Sequence, residues 1–97
     1  MLETLILTGN KIKTLYGKVL EFNTGLMTFA IDHNELREVG EDILDYSLIL
    51  KDVNLEGNHC IDESTNERTR NELIFVIKHC CKNQADALNI YNCGHKG

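Results

Sequence analysis

Residues 4–16, TLILTGNKIKTLY, decide how the rest of the chain is read. Two short β-rich runs flank Gly9 and Asn10, and a Gly-Asn pair supplies the positive φ angles that a tight hairpin turn requires. The stretch therefore predicts two antiparallel strands. Gly17 predicts a bulge or strand bend after the second. KVLEF and LMTFAI, on either side of Asn23, Thr24 and Gly25, predict a second hairpin. The first third is accordingly expected to be a β-meander.

The pattern changes at DHNE, residues 32–35. Asp32 with Glu35 three positions on forms the reciprocal pair that satisfies free amides at a helix start. Leu36, Val39, Ile43 and Tyr46 follow at helical spacing, with Glu35, Glu38, Asp42 and Asp45 on the neighbouring face. This predicts a short acidic helix over residues 33–46, with Gly40 as its weak point, since a mid-helix glycine costs about 1 kcal/mol relative to alanine. YSLIL and DVNLE read as further strand, to about residue 55. GNHCIDES reads as a loop. A long C-terminal helix follows, opened by Ser64 with Glu67 or Thr69 with Glu72 and carrying Leu73, Val76, Ile77 and Cys80 on its apolar face; it breaks near Asn83, resumes through QADALNIY and ends at Gly94. No internal repeat, low-complexity tract or linker stands out. The expected architecture is α+β: an N-terminal β-meander, barrel-like in its sheet, a short acidic helix, and a long C-terminal helix packed on the sheet.

Ninety-seven residues, 42% of them hydrophobic, form a single domain (1–97) with one modest core, a size at which neighbours often supply missing burial. A homo-oligomer, through a sheet edge or the last helix, is expected. Leu5, Leu7, Val19, Phe22, Phe29, Ile31, Leu73, Val76, Ile77 and Cys80 are expected in the core. No stretch reaches the roughly 18 apolar residues of a membrane span, and the apolar run after Met1 is too short for a signal peptide. These features predict a cytoplasmic chain, in which four cysteines stay reduced and Cys80 and Cys81, being adjacent, do not bridge each other. Ten asparagines with no proline or tryptophan suit an AT-rich coding sequence of the kind that phage and mobile elements carry.

Three clusters raise the question of a metal: His59 with Cys60, His79 with Cys80 and Cys81, and Cys93 with His95. Zinc takes such ligands, and Cys60, Cys80, Cys93 and His95 are the candidates for a zinc-stabilised module. Against this, no CxxC knuckle or HxxxH pair occurs, and the bland reading, core cysteines and a chain end, is preferred; no metal or cofactor is assigned. Catalysis is weaker still. His79 and Cys80 point about 100° apart on a helix, so neither serves as the other's base. Asp32 beside His33 and His59 near Asp62 are short-range coincidences common on surfaces, and no phosphate-binding glycine loop accompanies them. A non-enzymatic protein is expected.

GKVLEFNTGLMTFAI resembles the first motif of the Sm-like family of small RNA-binding barrels, and VNLEGNHCI is similar to its second. The resemblance covers about half of the chain and implies a small barrel oligomer binding RNA or a nucleotide between subunits. Thr28 stands where that family has Asn after the Met, and Glu56 where it has Arg or Lys before the Gly, so the RNA-contacting positions are those that differ. Charge points elsewhere. Residues 32–63 hold ten acids against Arg37 and Lys51, a local charge of −8, within a net charge of −5. Such a field repels phosphate backbones and attracts basic surfaces. An acidic stripe is most often only a solvated helix face. The functional expectation is nevertheless a protein-binding regulator or inhibitor that docks a basic partner through Glu35, Glu38, Glu41, Asp42 and Asp45, with no role for nucleic acid or membrane.

Overall fold

The computed structural model describes residues 2–82 and 93. Five short strands precede one helix: β1 (Thr4–Ile6), β2 (Thr14–Leu15), β3 (Thr28–Ala30), β4 (Glu38–Val39), β5 (Asp52–Asn54) and α1 (Arg70–Cys80). Among the described residues, all three pairings between these strands are parallel. β1, β3 and β5 form one sheet in that order, and β2 pairs with β4 in a second. Most of the remaining described chain is turn and irregular structure.

The register carries the architecture. Thr4 pairs with Thr28 and Thr28 with Asp52, while Thr14 pairs with Glu38, so every partner lies 24 residues further along. Residues 2–25, 26–49 and 50 onward are therefore successive turns of one coil of chain, a solenoid with a period inside the roughly 20–29 residues of single-strand repeats. The repeat that sequence reading did not find is written in equivalent positions: Leu2, Leu26 and Leu50; Leu5, Phe29 and Val53; Leu7, Ile31 and Leu55; Asn10, Asn34 and Asn58.

The asparagines hold the turns together. Asn34, buried, accepts a hydrogen bond from the Ile12 amide of the preceding turn (3.1 Å) and donates to Leu7 O there and to Ile31 O and Asp32 O in its own turn. Asn58 repeats the set, accepting from the Leu36 amide (3.1 Å) and donating to Ile31 O and Leu55 O. A buried side-chain amide with its donors and acceptor occupied satisfies backbone groups that the bend leaves without a ladder.

These contacts correct the expected meander. Gly9 does take the positive φ of 75° that turn chemistry demands. No hairpin follows, because the Leu7 amide donates to Ala30 O and the Gly9 amide to Asp32 O, pairing the first strand with chain 24 residues away. Likewise KVLEF is not a strand: Gly17–Leu20 is a 3₁₀ turn. YSLIL forms turns with Leu48 and Ile49 exposed, whereas DVN of DVNLE does form β5. Two small parallel sheets replace both the meander and the barrel implied by the Sm-like resemblance.

The acidic helix is absent too. His33 sits in the left-handed region (φ 56°), which interrupts a right-handed helix at its first turn. Asp32 accepts from the Thr8 hydroxyl (2.7 Å) in the neighbouring turn. Leu36, Val39 and Ile43 are buried as their spacing promised, yet they reach the core from irregular chain, a strand and a turn.

The core draws on all three turns and α1: Leu20, Leu26, Phe29, Ile31, Leu36, Val53, Leu55, Leu73 and Ile77 are at most 2% exposed. Of the residues expected there, Phe29, Ile31, Leu73, Ile77 and Cys80 are buried, Leu5, Leu7 and Val76 are half-buried, and Val19 (51%) and Phe22 (87%) face solvent. Both exposed residues belong to the first of the described turns, at and just after the 3₁₀ turn.

The C-terminal end is closed. After β5 the chain doubles back in an antiparallel bridge of Ser64 with Asn54, and the Thr65 amide donates to Val53 O and the Leu55 amide to Glu63 O, covering the sheet edge. α1 opens on the anticipated capping box of Thr69 and Glu72. It spans 11 residues, so the long helix is not formed; the expected resumption through residues 84–91 and the stop at Gly94 lie outside the described residues. The helix ends where Cys81 gives its carbonyl to the Val39 amide (2.9 Å) and its sulfur to a disulfide with Cys60. Cys80 pairs with Cys93.

Candidate functional site

Side chains along a strand alternate between faces, so Leu5, Phe29 and Val53 point into the core and their neighbours point out. The outward set forms a grid whose columns are the strands: Thr4, Thr28 and Asp52 in one row, and Ile6, Ala30 and Asn54 in the next. Thr8, Asp32 and Glu56 continue it just past the strand ends. Columns repeat at the strand spacing of about 4.8 Å and rows at about 6.6 Å along each strand, a rigid pattern set by backbone hydrogen bonds. Three acids and no base occupy these nine positions.

At the end of the grid the backbone is fixed by the same device in each turn. Gly9, His33 and Gly57, at equivalent positions, all have positive φ (75°, 56° and 71°). His33 is the residue that pays for this with a side chain, and its ring lies over Gly57: a Cβ there would approach the imidazole to 3.0 Å. His33 Nδ1 lies 2.9 Å from Asp32 Oδ2. Burial pushes the Asp32 carboxyl up, but the Thr8 hydroxyl, His33 and the residue's own backbone outweigh it and hold the group below the ordinary carboxylate value. Thr8, Asp32 and His33 thus form a fixed acidic corner of the grid. This is one of the two His-Asp pairs noted in the sequence, and it is in contact.

The five acids of the expected stripe are dispersed. Glu38 lies in β4, exposed, opposite Thr14; Glu41 and Asp45 are exposed in the following turns; Glu35 and Asp42 are half-buried. Glu38 and Glu41 meet in an open cleft of about 670 Å³ that Thr14, Tyr16, Gly17, Gly40 and Lys82 also line. Lys82 Nζ lies 3.4 Å from Glu41 there. Asp42 is directed at Gly17, where a Cβ would fall inside its carboxylate, so this glycine serves close approach and not the predicted strand bulge. Glu35 and Asp45 do not line the cleft.

The metal candidates are likewise redistributed. Cys60, Cys80 and Cys93 have their sulfurs committed to disulfides and present no thiolate, and His95 lies outside the described residues. Among the described residues no group of three His, Cys, Asp or Glu side chains is placed to hold a metal ion. The outward grid was missed by sequence reading, although its signal, a leucine, two further apolar residues and an asparagine recurring every 24 residues at 2–10, 26–34 and 50–58, is present in the chain. Comparison with protein-family models, curated proteins and solved structures gives no match to this chain.

Proposed function

We propose that this chain is a leucine-rich-repeat type of solenoid that acts as a non-catalytic protein-binding module, with the outward grid of β1, β3 and β5 as its contact surface. Two observations support the type: the spacing of apolar residues and asparagine at Leu2, Leu5, Leu7, Asn10 and Ile12, repeated at Leu26, Phe29, Ile31, Asn34 and Leu36, and a three-residue strand near the start of each 24-residue turn, aligned in one parallel sheet. The observation that carries the function is the grid itself, a rigid sheet face on which neighbouring turns supply side chains at fixed spacing. Extended surfaces of this kind are what solenoids offer to partners. Asp32, Asp52 and Glu56 on the grid, with Glu38, Glu41 and Asp45 elsewhere on the acidic middle of the chain, favour a partner that is basic, and the field would speed its encounter.

The test is selection of peptides from a random display library on the immobilised chain, followed by binding to an Asp52→Lys, Glu56→Lys variant. Selected peptides should be net basic and lose at least about tenfold in affinity for the variant. Peptides that bind both proteins equally would remove the grid from the function.

Two disulfides favour an oxidising compartment over the cytoplasmic setting expected when the cysteines were read as reduced thiols. Intact mass after secretion into such a compartment should be lower by four hydrogens than that of the reduced chain. Four alkylatable thiols in the natively folded protein would return it to a reducing one.

A further inference from the structure

One position of the bend is filled differently in the second turn. Positive φ recurs at residues 9, 33 and 57; the first and third are glycine, and the second is histidine. A Cβ makes this left-handed conformation unfavourable, and glycine would satisfy the bend at residue 33 as it does in the turns before and after. The backbone therefore gives no reason for the imidazole.

Its surroundings fix the ring without burying it. The ring lies against Gly57, where an added Cβ would approach it to 3.0 Å. Asp32, itself buried, accepts from the Thr8 hydroxyl (2.7 Å) on one oxygen and contacts His33 Nδ1 (2.9 Å) with the other. Burial pushes the Asp32 carboxyl up, but these two contacts and its own backbone bring it below the ordinary value, so at neutral pH it is ionised and only accepts. Nδ1 is then the donor, which leaves Nε2 of the neutral ring as an acceptor. The His33 side chain is 70% exposed, and Nε2 has no hydrogen-bond partner among the described residues.

We propose that His33 is a specificity-determining residue of the contact surface, its Nε2 accepting a hydrogen bond from a lysine or arginine of the partner. This rests on the reading of the grid as that surface. The neighbours select a cationic donor. Asp32 stands beside His33, and Glu56 of the next turn accepts the His33 amide on its carbonyl (2.8 Å), while the nine grid positions hold no base. An ammonium or guanidinium N–H at Nε2 is attracted by both carboxylates, whereas a partner carboxylate would meet an acceptor and two like charges. A ring already held by Asp32 and Gly57 loses little rotamer freedom on binding. The left-handed strain at residue 33 thus maintains a preorganised contact.

The experiment takes peptides selected from a random display library on the immobilised chain and measures their affinity for the wild type, His33→Gly and the Asp52→Lys, Glu56→Lys variant, with denaturant unfolding of each protein alongside. His33→Gly should unfold at a midpoint no lower than the wild type, because glycine suits the bend, and should bind at least about tenfold more weakly. Alanine in place of one lysine or arginine of the peptide should weaken binding to the wild type and have no further effect on binding to His33→Gly. His33→Asn, which also tolerates the left-handed backbone, replaces His33→Gly should the latter fail to fold. Peptides that lose affinity for the Asp52, Glu56 variant and none for the His33 variant overturn this inference and leave the grid in place. A midpoint that falls together with the affinity makes His33 a structural residue and overturns it as well. Peptides that bind all the proteins equally, or a library without binders, overturn both readings.

Discussion

The first turn and the second are built from nearly the same pattern and meet different fates. Leu2 and Leu26 begin them, Asn10 and Asn34 bend them, and Gly9 and His33 turn the backbone left-handed at the same point. In the second turn the leucine is buried and the asparagine is saturated by the preceding turn and its own; in the first, the leucine is exposed and the asparagine side chain bonds Leu7 O of its own turn. Stability in a solenoid resides in the contact between turns more than in any turn's own composition. The same residue is thus a structural element in one turn and surface in another.

The comparison can be broken most decisively at the leucines. Leu26→Ala should cost about 3 kcal/mol and Leu2→Ala under about 1 kcal/mol in denaturant unfolding, because a cavity forms only where packing surrounds the side chain. Equal costs would mean that the turns are equally packed. The asparagines come next. Asn34→Ala strands the Ile12 amide and three carbonyls and should cost about 2–3 kcal/mol, against less than about 1 for Asn10→Ala. The left-handed positions sharpen the picture. Gly57→Ala, with its new methyl against the His33 ring, should cost about 2 kcal/mol, and Gly9→Ala, which meets open space, about 1 kcal/mol for φ alone.

The smallest effect is at Asp32. Its folded-state pKa is held below the ordinary 3.8, so its ionised form stabilises the fold above that value, and the contribution is lost as pH falls through the lower folded-state pKa. Thermal melts from pH 6 down to the acid limit should therefore fall less steeply for Asp32→Asn than for the wild type. Parallel curves would show that the Thr8 and His33 contacts contribute nothing to pH dependence.

Local signals were read correctly and assembled incorrectly. Gly9 does take positive φ, Thr69 and Glu72 do cap a helix, and Leu36, Val39 and Ile43 are buried. Turn chemistry, however, fixes how a chain bends and not what it pairs with. TLILTGNKIKTLY satisfies a hairpin and a solenoid bend alike. The deciding information was the recurrence of the pattern at residues 26 and 50, which a reading taken one window at a time passes over, since Phe29 and Val53 replace Leu5 and Asp32 replaces Thr8. The left-handed His33 was not legible because histidine rarely adopts that conformation unassisted. The disulfides were hidden by the choice of a reducing compartment: adjacent Cys80 and Cys81 do not bridge each other, and each instead ties α1 to a different segment. The acidic residues were real, but their common stripe depended on a helix that the Asp32–His33 corner forbids.

Arg70 carries a consequence of another kind. From the first turn of α1 its guanidinium donates to the carbonyls of Leu44, Ser47 and Leu50, tying the cap to the chain that leads into the third turn. Opening the cap therefore releases that segment with it, while β1 can detach and leave both intact. Amide exchange should accordingly run as a gradient, fastest at the first turn and slowest where α1 grips residues 44–50, so the molecule frays from one end in the manner of a zipper.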